Sequence, residues 1–253
     1  MEKPTVHENV TIQFQTRIDV KQVNFQKWGS LANFIACIIF LVLTITAMYF
    51  YPGGNREDNM EPGFNLLYVT LSDLGRGFAI NSQPNTISQA LFLPSFILLG
   101  LSYAVFYLIL DMFYKETKKI KWISLTGAVL GIISGALYIF IAITPVDIDI
   151  HLHNKFIYSA APFKYGALIC FTIVTFIDKK LPRKFSYQIL ALLILYFLLA
   201  IAIIVGTILG GDINKATRIF GHTLTIFIEV ILSSILSLSL FIHLNKTSKN
   251  RLN

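Results

Sequence analysis

The chain is short of charge. Asp, Glu, Lys and Arg make up 14% of its 253 residues, against about 25% in an ordinary soluble domain. Hydrophobic residues make up 55%, and the mean hydropathy is +0.64. That balance excludes a soluble globular domain. Cysteine is scarcer still: Cys37 and Cys170, both inside apolar runs, read as buried thiols and exclude a disulfide framework. The local signatures of covalent and nucleotide chemistry are missing as well. There is no Gly-x-Ser-x-Gly, Walker loop, His-Glu-x-x-His or glycine-rich dinucleotide fingerprint, so nucleophilic catalysis has little support. Internal repeats and low-complexity segments are absent. The longest connection, Pro52–Thr86, is too short for a separate soluble domain.

What is present is six long apolar runs: Ser30–Tyr51, Ile87–Leu110, Lys121–Ile143, Phe156–Ile177, Ser186–Leu209 and Thr217–His243. About 20 apolar residues at ~1.5 Å each cross the ~30 Å hydrocarbon core. The expected fold is therefore all-α: a polytopic membrane protein built as a six-transmembrane-helix bundle. Residues 1–29 read as a loosely ordered cytoplasmic tail, 30–243 as the membrane domain and 244–253 as a second cytoplasmic tail. Residues 1–27 are polar and Lys27 precedes the first run, which is expected to be an uncleaved anchor. Fifteen of the 21 Lys and Arg fall in the two tails and the second and fourth loops. The other six are Arg56, Arg76, Lys155, Lys164, Lys215 and Arg218. This alternation puts both termini in the cytoplasm. The net charge of +7 then reads as topology and contact with anionic lipid. Its dispersal among short loops argues against nucleic acid, and the expected location is the plasma membrane.

The last run carries Arg218, His222, Thr225, Glu229 and Ser233, all within roughly 80° on a helix. A charge near mid-membrane costs at least ~2.5–3.5 kcal/mol, so this stripe should face other helices or trapped water. Glu229 lies roughly 16 Å of helix below Arg218, near the membrane centre. Asp212 and Asn214 are natural caps for this helix. Two further polar groups share the outer side: Ser72, Asp73 and Arg76 in the first outer loop, and Asp147, Asp149, His151, His153 and Asn154 between runs three and four. Phe64–Leu71 is too apolar for a free loop and should fold back onto the outer helix ends. Ser72 and Asp73 suit a cap or turn, and Gly75 a turn with positive φ. Gly127, Gly131 and Gly135, at spacing four, read as a close helix–helix contact.

Each polar candidate has a plain reading beside a chemical one. His151 and His153 with Asp147, Asp149, Asp73 or His222 offer imidazole and carboxylate ligands that suit zinc. The two histidines share a face only if that loop is extended, and a histidine bonded to a backbone carbonyl is the plainer reading. Asp147 and Asp149 read as solvated turn and cap residues. Arg218 and Asp73 read as an ion pair tying the first outer loop to the last helix, with Asp147 as the alternate partner. Glu229, a carboxylate inside the membrane, is a functional candidate, or else a neutral group bonded to Ser or Thr of a neighbouring helix.

Several short motifs carry a resemblance. They are Ser72-Asp73-Leu74-Gly75 ahead of an Asn/Pro-containing lead into the second run, Leu91-Phe92, Thr144-Pro145-Val146-Asp147, His153-Asn154 and Ala160-Ala161-Pro162-Phe163. Together the chain resembles the uncharacterised prokaryotic six-span proteins related to the DRAM (damage-regulated autophagy modulator) and FGF-receptor-activating-protein group. The resemblance implies lipid biology, leaves the reaction open, and singles out Asn154 and Arg218. Alkaline-ceramidase-like hydrolases do not fit, because no His-x-x-x-His helix exists. The leading expectation is a membrane protein that binds or organises lipid through an outward-facing polar cavity, with membrane lipids as partners and no cofactor. The alternatives are a metal-dependent hydrolase or transferase acting on lipid head groups, and a small proton-coupled transporter using Glu229 and His222.

Overall fold

The computed structural model describes the backbone of residues 6–115, 117–209 and 212–250, and the side chains of most positions from 20 onward. Six helices account for most of it: α1 (Val6–Tyr49), α2 (Thr86–Asp111), α3 (Lys118–Ile143), α4 (Ile150–Ile177), α5 (Arg183–Leu209) and α6 (Asp212–Asn250). Each contains a stretch long and apolar enough to cross a membrane. The chain is an integral membrane protein built as an all-helical six-helix bundle, as its apolar runs predict. Each helix packs on the next and α6 closes on α1, so the bundle is a ring. Six spans return both termini to one face, the one expected from its basic residues to be cytoplasmic; it is called the inner face below.

Two boundaries differ from the sequence reading. Residues 6–29 are not a loose tail but part of α1. No Gly or Pro interrupts Val6–Trp28, so a helix nucleated in the apolar span extends at little cost. At the outer face, α4 starts at Ile150, which leaves only Thr144–Asp149 as a loop. Asp149 is extended (φ −149°, ψ 92°), and its carboxylate accepts the Leu152 N–H at 2.9 Å. It is the N-cap that turns the following residues into helix. The caps expected at Asp212 and Asn214 concern side chains outside those described.

The glycine ladder of α3 packs two neighbours. A Cβ on Gly135 would lie 2.5 Å from the carbonyl oxygen of Gly100 on α2, and a Cβ on Gly100 would lie equally close to the Gly135 carbonyl. Gly131 lies against the Tyr107 ring of α2, while a Cβ on Gly127 would lie 2.9 Å from Cys170 Cβ on α4. Backbones can approach this closely only where side chains are missing.

Over the outer ends lies the loop 50–85, folded back as its apolar content predicts. Val69, Leu71 and Leu74 are buried, and a 3-10 helix, Leu71–Gly75, packs on α2. Start-of-helix residues of α2 hold it by its carbonyls. The Asn85 amide donates to the carbonyls of Leu74 and Arg76 at 3.0 Å each, Ser88 to Leu74 at 3.3 Å, and Gln89 to Gly75 at 3.1 Å. The positive φ expected of Gly75 belongs instead to Gly53, Gly54 and Gly63. Gly75 is needed for a different reason: a Cβ there would sit 2.6 Å from the Phe92 ring.

Candidate functional site

The ring encloses a charge pair. Lys164 of α4 donates to Glu229 of α6 across the bundle interior, and both side chains are almost wholly buried. Tyrosines complete the coordination. The Glu229 carboxylate also accepts the hydroxyls of Tyr196 (α5) and Tyr138 (α3), the latter at 3.4 Å. The Lys164 ammonium reaches the Tyr138 oxygen at 3.3 Å and lies over the Tyr103 ring, 4.1 Å from its centroid. Helices α2 to α6 each contribute at least one of these groups. The local sequence explains the placement. Glu229 lies on the polar stripe of α6, and Lys164 sits 14 residues into α4, roughly 21 Å along its axis. Both charges therefore fall near mid-membrane, where mutual pairing and phenol hydrogen bonds replace water.

A cavity of about 350 Å³ leads from the outer loop down to this pair. Its wall is chiefly apolar and aromatic, with Tyr158 and Tyr165 from α4, Leu199 and Ala200 from α5, and Ile226 from α6. Ser72 borders it from the 3-10 helix, and His222, Thr225 and Glu229 border it from one face of α6. The polar line of α6 continues inward beyond the pair. Tyr103 donates to Ser233 at 3.4 Å, and the Asn33 amide of α1 donates to Ser237 at 2.6 Å.

Only Ser72, His222 and Glu229 of the candidate residues line this cavity. Asp73 is fully buried beneath the outer loop, where it accepts from the Thr70 N–H (2.9 Å) and hydroxyl (2.7 Å) and pairs with Arg76 and Arg56 at 3.4 and 3.8 Å. Arg76 also donates to the Phe78 carbonyl at 3.1 Å. Asp147 ties the two outer loops together, accepting the Gly77 and Phe78 N–H groups at 2.9 and 3.4 Å. Nearby, Tyr51 accepts the Ile80 N–H at 3.2 Å, and burial pushes its phenol above the ordinary range.

The expected Arg218 pair does not form. Arg218 is exposed, and among the described residues no carboxylate pairs with it. Asp73 is already claimed by Arg76 and Arg56. Because α6 starts at Asp212, Arg218 lies in its second turn, beyond the reach of the N-terminal dipole that motivated a partner. The two histidines also part. On a helix a spacing of two turns them to different sides, so His151 is exposed while His153 is buried with Nδ1 2.6 Å from the Thr144 carbonyl. Asn154 is half-buried on α4. Among the described residues no three His, Cys, Asp or Glu side chains converge as metal ligands.

Lys164 and its tyrosines are what the sequence reading missed. The signal was available: a lone lysine inside an apolar run is as costly as Glu229. Counting it among the outward basic residues hid it. Placed in the membrane interior, it leaves five outer Lys and Arg against fifteen inner ones, which sharpens the topology. No family model, curated protein or solved structure matches this chain.

Proposed function

We propose that this protein binds a hydrophobic, lipid-derived molecule in the cavity between the outer loop and the Lys164–Glu229 pair. The observation that carries the reading is the wall: about 350 Å³ of chiefly apolar and aromatic surface ending on one polar cluster. That is the usual make-up of a small-molecule pocket, in which apolar walls supply affinity and a few polar groups set orientation. The charge balance narrows the ligand. Lys164 and Glu229 sum to zero and are already paired, so an ionised head group entering here would lose its hydration without gaining a counter-charge. An uncharged hydroxyl or carbonyl end fits, with the hydrocarbon part toward the outer leaflet.

The test is lipid retention. Ala161→Trp and Ala200→Trp each place a ring in the cavity without touching the pair. Native mass spectrometry of the purified wild-type chain should show a co-purifying neutral lipid that both variants lose. Equal retention by all three proteins overturns the reading.

One observation favours a second reading, proton-coupled transport. The polar line of α6 crosses the level of the pair and continues toward the inner face through Ser233 and Ser237. In sealed vesicles carrying a pH gradient, transport requires proton flux that Glu229→Gln abolishes. Flux equal to that of empty vesicles rejects this reading.

A further inference from the structure

The outer cavity ends on an amine. Lys164 and Glu229 both line it, together with Tyr138 and Tyr196, and Lys164 carries the one primary amine in the wall formed by the described residues. The lysine side chain is 5% exposed and the glutamate side chain 2%. A desolvated amine at the end of an apolar pocket is the setting in which lysines attack carbonyl carbons. Three neighbours suit that reaction. Glu229, already hydrogen-bonded to the ammonium, can take one of its protons. The Tyr138 hydroxyl lies 3.3 Å from the Lys164 Nζ and 3.4 Å from a Glu229 oxygen, within reach of both. The Tyr103 ring faces the nitrogen, its centroid 4.1 Å away, and favours a cation kept there.

We infer that Lys164 forms a reversible imine with a hydrophobic aldehyde held in this cavity, an inference that rests on the cavity taking a neutral lipid-derived molecule. Within the pair, the ammonium passes one proton to Glu229, leaving a neutral amine beside a neutral acid. The nitrogen lone pair attacks the aldehyde carbon, and the carbonyl π pair moves to oxygen. Tyr138 relays a proton from nitrogen to that oxygen, which gives a carbinolamine. Glu229 then returns its proton to the new hydroxyl. The C–O bond breaks, water leaves, and the nitrogen lone pair closes the C=N bond. In sum, ammonium and aldehyde become iminium and water, with nothing oxidised or reduced. Charge selects an aldehyde over an acyl compound. An ester or thioester would acylate Lys164 to a neutral amide and leave Glu229 buried without a counter-charge, a costly state. The iminium keeps a positive nitrogen beside the same carboxylate and the same Tyr103 ring, so the interior stays balanced. An intramembrane carboxylate then serves as counter-ion to a bound ligand.

The full chain in a neutral detergent is incubated with decanal and sodium cyanoborohydride, which reduces an iminium to a stable secondary amine. Peptide mass mapping then locates the modified lysines. Lys164 should gain the decyl mass in a saturable way, and excess decanol, which fills the cavity but cannot condense, should suppress the gain. Exposed Lys155 is the internal control: its modification should rise in proportion to decanal and ignore decanol. Ala161→Trp, which occupies the cavity and leaves the pair intact, should remove the Lys164 signal. Tyr138→Phe should slow the modification while leaving decanol retention, read by native mass spectrometry, unchanged; a merely structural tyrosine would not split the two. Decanol retained with Lys164 unmodified overturns the imine and leaves the cavity reading standing. Neither retention nor modification overturns both. Modification of Lys164 that never saturates and ignores decanol, like that of Lys155, also overturns the imine.

Discussion

Replacing Lys164 alone should harm this protein far more than replacing Lys164 and Glu229 together. Lys164→Met keeps the volume of the side chain and removes its charge. The Glu229 carboxylate is then left with two phenol donors, Tyr138 and Tyr196, and is itself almost wholly buried. Breaking a buried pair this way costs about 3–5 kcal/mol. Two remaining hydrogen bonds to a charged group, at about 1.5–3 kcal/mol each, keep the loss toward the lower end. Glu229→Leu strands the ammonium instead. Lys164 retains the Tyr138 oxygen and the Tyr103 ring, and a desolvated cation–π contact offsets about 2 kcal/mol of its burial. A loss of about 3–4 kcal/mol is expected. The double variant leaves no charge to strand, and replacing a buried pair by apolar groups of similar volume is often neutral. It should therefore recover at least about 2 kcal/mol of the summed single losses. The assay is reversible unfolding in mixed micelles, followed by tryptophan fluorescence and fitted for all four proteins. Additive single effects would falsify the claim that the two charges satisfy one another.

Other predictions follow from the outer loop, the glycine ladder and the topology. Gly135→Ala meets the Gly100 backbone and should lower stability by about 1–3 kcal/mol, whereas Leu130→Ile should be mild; an unchanged melting curve for Gly135→Ala refutes the close approach. Asp73→Asn should cost more than Asp147→Asn, because Asp73 is fully buried between two arginines and Asp147 is exposed; thermal melts of the two variants decide the order. Cysteines introduced at Asp58 and Asp149 should be labelled by an impermeant maleimide on intact cells and ones at Lys118 or Lys180 should not, and the reverse pattern would invert the assignment of the outer cavity.

The sequence made the fold legible because length and apolarity alone define a span, and every helix here exceeds both needs. Tertiary satisfaction was harder to read. The α6 stripe located Glu229 correctly, since a period of 3.6 is visible in one chain. Its partner lies 65 residues away on a helix that is not its ring neighbour, and pairing across a ring has no local periodicity. His151 and His153 failed for a local reason: a six-residue error in the start of α4 turned an extended loop into helix and separated two side chains expected to converge. Arg218 failed through competition. Two nearer arginines hold Asp73, one of them three residues away in sequence.

The pair joining α4 and α6 also sets an order on biogenesis. Helices enter the bilayer as they are synthesised, and α4, with a mean hydropathy of 1.6, has the least apolar window of the six spans. Lys164 adds roughly 2.5–3.5 kcal/mol to its insertion cost, and Glu229 is not made until 65 residues later. During that interval the ammonium has only tyrosines and whatever water it draws into the bilayer. A chain that stops before α6 thus leaves Lys164 in the membrane without its carboxylate. Closing the ring and cancelling the charge are the same event.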